Sequence, residues 1–170
     1  MDPLKVYSIP ILGLKNGPHQ FVFELDKRFF EHFEMSPIRE GSFTVVLMLD
    51  KRDDLSTLDF DIQGYIDTQC DRCLAAIKLP VSSQQSAILK RGIGTDEDPD
   101  LIYMAPEAHE FNVAQLIYDY VCLSLPLIQA FDCENQQQPP CNQDVLKHIQ
   151  KEESYSQDVG PWDNLKNIKL

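Results

Sequence analysis

A chain of 170 residues with 43% hydrophobic content sits at the upper end of one ordinary domain and can bury a core without staples. Its formal charge of −12, from 27 acidic and 15 basic residues, excludes a general polyanion-binding surface, because sequence-independent nucleic-acid affinity comes from Lys and Arg neutralising phosphates. No apolar run approaches the roughly 20 residues of a membrane-spanning helix. Asp2 stands where a secretion signal has a basic residue, and Pro10 breaks the first apolar run, so the sequence predicts a cytoplasmic protein that binds neither membrane nor DNA.

In chain order, Leu4 to Ile9 alternates like a strand stopped by Pro10, and Gly13 and Asn16-Gly17 supply turns before a second strand at Gln20 to Glu24. Asp26 is a helix cap for a short helix carrying Phe29, Phe30 and Phe33 into the core and ending near Ser36-Pro37. Phe43 to Leu49 is a nearly continuous apolar run that predicts a strand buried on both faces. After a polar turn at Lys51 to Asp54, Leu58, Phe60, Ile62 and Ile66 alternate with Asp59, Asp61 and Gln63, the pattern of a half-buried strand. Ile77 to Val81 and Gln84 to Leu89 form the return strand, so the three make an antiparallel meander.

Beyond Gly92 the composition shifts: from there to Leu146 there are ten acidic residues and no Lys or Arg, a solvated surface or the complement of a basic protein. Gly92-Ile93-Gly94 feeds no helix and carries no Lys, so it is a linker and not a phosphate loop. Leu101 to Met104 reads as a short edge strand. Asn112 is a cap for an amphipathic helix from Val113 to Leu125, with Val113, Leu116, Ile117, Tyr120 and Val121 on one stripe and Pro126 ending it. Asn142 caps a last helix from Gln143 to about Glu153. The predicted fold is α+β: an antiparallel β-meander, as a sheet or a partly closed barrel, covered by the amphipathic helix. Residues 1–153 form one domain and 154–170 an extended tail containing Trp162, Lys166 and Lys169.

The residues with chemistry to offer are the five cysteines. Cys70 and Cys73 stand three apart at the tip of the hairpin, where two thiolates reach one ion, and Cys133 and Cys141 supply a second pair. His148 is a substitute for Cys141. Three readings remain open: one structural zinc joining hairpin tip to carboxy-terminal segment, no metal, or a disulfide or redox pair. Cys122, next to Tyr118 on its helix, reads as a small buried hydrophobe. The histidines are scattered and no Ser/His/Asp set or nucleophile elbow is present, which argues against catalysis.

The order of Cys70-Asp71-Arg72-Cys73-Leu74, an acidic interval, Leu123-Ser124-Leu125-Pro126-Leu127, further cysteines, and Pro161-Trp162-Asp163-Asn164-Leu165 resembles the YceD family of large ribosomal RNA subunit accumulation proteins, over roughly Tyr65 to Leu170. The chain departs from the family's pattern at Gln129-Ala130-Phe131, and the downstream cysteines vary among relatives. The resemblance implies a non-enzymatic factor supporting 23S ribosomal RNA accumulation, whose partner is large-subunit rRNA or a basic ribosomal protein. Candidate contacts are Arg72, Trp162, Lys166 and Lys169, with Lys78, Lys90 and Arg91 in a local basic patch. A thiol oxidoreductase or other zinc or thiol enzyme using Cys70 and Cys73 is the alternative.

Overall fold

The computed structural model describes residues 3–94, 101–131, 133 and 140–155. A 3-10 turn over Pro3–Tyr7 precedes β1 (Ser8–Ile9); then come β2 (Gly17–Leu25), α1 (Lys27–Phe30), β3 (Gly41–Lys51), β4 (Leu55–Gln69), β5 (Ala76–Arg91), β6 (Leu101–Met104), β7 (Phe111–Asn112), α2 (Ala114–Leu123) and α3 (Gln143–Tyr155). The chain divides into two compact units, one of residues 1–67 and 78–127, the other of residues 68–77 and 128–170.

The first unit is built on an open five-stranded sheet of order β2-β3-β4-β5-β6. The sheet is not closed into a barrel. β2, β3 and β4 pair antiparallel, in the register Phe23↔Val45↔Ile62. The predicted short edge strand is present at the sheet edge as β6, and it runs parallel to β5, with Ile88 opposite Leu101. Pro18 lies on the edge strand β2, where a missing N–H costs no ladder bond.

Alternation decides which face is buried. Phe43, Val45, Leu47 and Leu49 of β3 and Leu58, Phe60, Ile62 and Ile66 of β4 are buried, as period-2 packing requires. The expectation that β3 is buried on both faces is corrected: Val46 is half-buried and Met48 is 40% exposed, because one face of this mostly antiparallel sheet meets the core while the other carries polar pairs such as Thr44 with Glu24. The register places Gly64 opposite Phe43. A Cβ at Gly64 would lie 2.7 Å from Phe43 Cα and would also collide with the Ser42 carbonyl oxygen, so only glycine admits the phenyl ring there.

An aromatic chain continues the core. Phe29 meets Tyr7, Phe30 and Phe33 at centroid distances of 4.9, 5.2 and 5.2 Å, and Phe33 stacks on Tyr118 of α2 at 3.9 Å with planes 6° apart. Tyr120 of α2 meets Phe60 of β4 edge to face at 5.2 Å, and its hydroxyl donates to the Ser86 carbonyl of β5 at 3.4 Å. Residues Ala114, Ile117, Tyr120 and Val121 are the buried stripe of this helix.

Three local expectations are corrected. The amino-terminal run is not a strand over Leu4 to Ile9: Pro3 opens a 3-10 turn and only Ser8–Ile9 pair, with Asn112 and Phe111. The helix after Asp26 is a single turn, capped by Asp26 Oδ1 accepting from the Arg28 N–H at 2.9 Å and finished at Phe30. Helix α2 ends at Leu123, short of Leu125, with Ser124 closing it through bonds to Tyr120 and Val121 carbonyls. The predicted caps are present: Asn112 Oδ1 accepts from the Ala114 N–H, and Asn142 Oδ1 from the Asp144 and Val145 N–H groups. The acidic linker at 95–100 and the tail from residue 156 lie outside the described residues.

Candidate functional site: two cysteine pairs

The last two residues of β4 and the first two of β5 belong to the second unit, and the turn they enclose carries the first thiol pair. The Cys70 N–H bonds to the Ala75 carbonyl at 2.9 Å and the Leu74 N–H to the Cys70 carbonyl at 2.8 Å. Leu74 closes this tight turn in the left-handed region, at φ 56°, a conformation uncommon for a residue other than glycine, asparagine or aspartate. The turn buries both sulfurs: Cys70 is 1% and Cys73 is 2% exposed.

A second segment is stitched onto this turn within the same unit. The Asp71 N–H donates to the Gln129 carbonyl at 2.9 Å, and the Gln129 N–H donates to Asp71 Oδ2 at 2.6 Å. Thr68 Oγ1 also meets Gln129 Oε1. Two residues further, the Phe131 carbonyl oxygen lies 3.4 Å from Cys133 Sγ. Cys133 and Cys141 are paired sulfur to sulfur as a disulfide, their Cα atoms 7.2 Å apart.

Burial pushes the Cys70 thiol up, but backbone donors from Phe131, Cys73 and Arg72, with a hydrogen bond to the Cys73 thiol, outweigh it and leave its pKa below the usual value. Among the described residues no three or more His, Cys, Asp or Glu side chains surround a common point; the four sulfurs stand as two pairs. His148 is exposed on α3. Cys122 is half-buried rather than fully buried, and burial foremost raises its pKa, against a hydrogen bond with Tyr118 that lowers it.

Of the proposed contact residues, Arg72 is exposed, beside the buried thiols. Trp162, Lys166 and Lys169 lie outside the described residues. The other basic residues are engaged: Lys78 Nζ stands 2.9 Å from Asp67 Oδ1 and 4.0 Å from the Tyr65 ring centroid, which with the hydrogen bond holds its ammonium above the ordinary pKa. Lys90 lies 5.8 Å from the Tyr103 ring centroid, and Arg91 donates to the Ala108 carbonyl. Sequence reasoning missed Asp71, Thr68 and Gln129. The only available signal was a carboxylate between two cysteines.

A family model described as large ribosomal RNA subunit accumulation protein YceD matches residues 58–169. No curated protein and no solved structure matches the chain. The matched stretch begins seven positions before Tyr65 on β4, and it contains both cysteine pairs, Asp71, Gln129 and helices α2 and α3. By this match over more than half of its length, the chain belongs to the YceD family.

Proposed function

We propose that this chain is a cytoplasmic, non-enzymatic factor that supports accumulation of large-subunit ribosomal RNA, and that it does so by holding a basic ribosomal protein. The family match over residues 58–169 carries the first part. Charge supports the second. With a net charge of −12 and ten acidic residues between Gly92 and Leu146 against no Lys or Arg, the chain repels a phosphate backbone and attracts a cationic protein. Lys78 and Arg91 already have partners on the chain itself, which further weakens an RNA-contact reading for the basic patch. No described helix is long and apolar enough to cross a membrane.

The thiol-enzyme reading draws on the lowered Cys70 pKa, but both sulfurs of its pair are buried, whereas a reactive cysteine needs access for its substrate. Co-sedimentation from gently lysed cells tests the binding reading. The tagged chain is expected with large-subunit particles at low salt and free at high salt, and purified large-subunit proteins are expected to retain it without rRNA. Retention by naked rRNA alone would replace the protein partner with RNA, and a free chain at every salt concentration would remove direct binding.

A further inference from the structure

One face of the five-stranded sheet is covered by α2, where Tyr120 packs on Phe60 on the side that also buries Val45, Leu47 and Ile62. On the opposite side the register aligns Val22, Val46 and Asp61 across β2, β3 and β4, and beside them Gln20, Met48 and Asp59. Val22 is 54% and Met48 40% exposed there.

Scattered singly, exposed apolar residues need no explanation. Here two neighbouring strands set three of them side by side. A sheet solvated on one side alternates apolar with polar residues, as β4 does through Asp59, Asp61 and Gln63. Strand β3 does not: Val46 and Met48 interrupt the outward polar series of Ser42, Thr44 and Asp50. That is the pattern of a strand covered on both sides, and Met is a side chain that adapts to a partner's surface.

The carboxylates decide the chemistry of the covering layer. Asp59 lies opposite Met48 and Asp61 opposite Val46. Each has a neutral donor, Ser86 Oγ at 2.7 Å and Gln63 Nε2 at 3.3 Å, and neither is within ion-pair distance of a cation among the described residues. No Lys or Arg takes an outward position on β2, β3 or β4. A layer that covers the apolar strip also desolvates these carboxylates, and buried charges persist only when paired. The cations must therefore come from the covering surface. A second copy of this chain seated symmetrically would bring the same carboxylates against each other, and a phosphate backbone would add like charge.

We propose that this outer face of β2, β3 and β4 is the docking surface for the basic ribosomal protein. Val22, Val46 and Met48 pack against its apolar side chains, and Asp59 and Asp61 pair with two of its Lys or Arg residues. The inference rests on the protein-partner reading given above and places its contact on the sheet, outside the acidic interval between Gly92 and Leu146. Lys and Arg suit the place, because their long stems cover apolar surface while their charged ends reach a carboxylate.

The test passes the full chain over an immobilised mixture of purified large-subunit proteins at physiological ionic strength, where exposed charges more than about 8 Å apart are screened. Asp59→Lys/Asp61→Lys should weaken retention about thirtyfold or more, as the loss of buried charge pairs does. Met48→Ser should weaken it with no change of charge. Glu107→Lys/Glu110→Lys makes the same change of charge at exposed positions of the acidic interval, and should lose far less. If the Asp59 and Asp61 variant fails to fold, the wild-type complex still decides: carbodiimide coupling should modify both aspartates in the free chain and spare them in the complex, while Glu107 and Glu110 react in both. Equal losses in the two double variants, no loss in either, or undiminished coupling at Asp59 and Asp61 in the complex overturns the docking surface and leaves the protein partner standing. A wild-type chain that is not retained at all overturns both.

Discussion

Asp71 and Gln129, 58 positions apart in sequence, bond to one another twice: the Asp71 N–H reaches the Gln129 carbonyl at 2.9 Å and Asp71 Oδ2 accepts the Gln129 N–H at 2.6 Å. The second bond is charge-assisted and the more valuable of the two. Its removal leaves the backbone bond, and both groups have access to water, so the loss is moderate. Asp71→Ala should destabilise the second unit by about 1 kcal/mol, read as faster hydrogen exchange at Gln129 and Phe131. Asp71→Asn should retain part of the protection, since an amide oxygen still accepts. Unchanged exchange in Asp71→Ala would show that the carboxylate does not hold the segment.

The position of Gly64 opposite Phe43 makes a second expectation. Gly64→Ala puts a methyl group against the Phe43 ring and the Ser42 carbonyl, both within a β3–β4 ladder that cannot move independently. A loss of about 2 kcal/mol by chemical denaturation is expected. The companion substitution Phe43→Leu removes the ring that the methyl group strikes, so Gly64→Ala should cost less in that background. Equal costs in the two backgrounds would contradict the packing account.

Tyr7 gives the pH dependence. Burial first, and the Asp26 carboxylate second, hold its hydroxyl above the ordinary value of 10.0. The folded chain therefore resists an ionisation that the unfolded chain undergoes. The contribution to stability is complete below the unfolded pKa and is lost as pH rises through the folded one. Melting temperature should fall above about pH 10, and Tyr7→Phe should flatten part of that fall. Tyr118, also raised by burial foremost, supplies a further part. An identical alkaline profile in Tyr7→Phe would assign the fall to other groups.

Cys122 should report its own surroundings. Burial foremost keeps its thiol above the usual pKa, so at pH 8 its thiolate fraction is smaller than that of a free cysteine. Alkylation should be slower than for a small-molecule thiol and should accelerate with pH beyond 9. Tyr118→Phe removes the hydroxyl whose hydrogen bond lowers the pKa, and should slow the reaction further. A faster reaction in that variant would reverse the assigned role of the hydroxyl.

The parts of the fold legible in the sequence are those where one local pattern decides the outcome. Leu58, Phe60, Ile62 and Ile66 alternate with polar residues and are buried as alternation demands. Asp26, Asn112 and Asn142 act as caps because a short side-chain oxygen beside helical N–H groups has one favourable use. The parallel pairing of β6 was not legible, since a four-residue apolar run carries no mark of direction. Nor was the exposure of Met48, because a continuous apolar run does not say whether a second layer covers it. At the site, the thiol spacing was visible and its setting was not. The bonds that bring Gln129 to Asp71 join positions 58 residues apart, and nothing local to Gln129 announces them.

The central claim is that the chain supports accumulation of large-subunit ribosomal RNA. Its most direct test is the ratio of large- to small-subunit rRNA in cells from which the chain has been depleted, with and without a plasmid-borne copy. The account predicts that the ratio falls on depletion and returns with the wild-type copy. A ratio unchanged after complete depletion would contradict it.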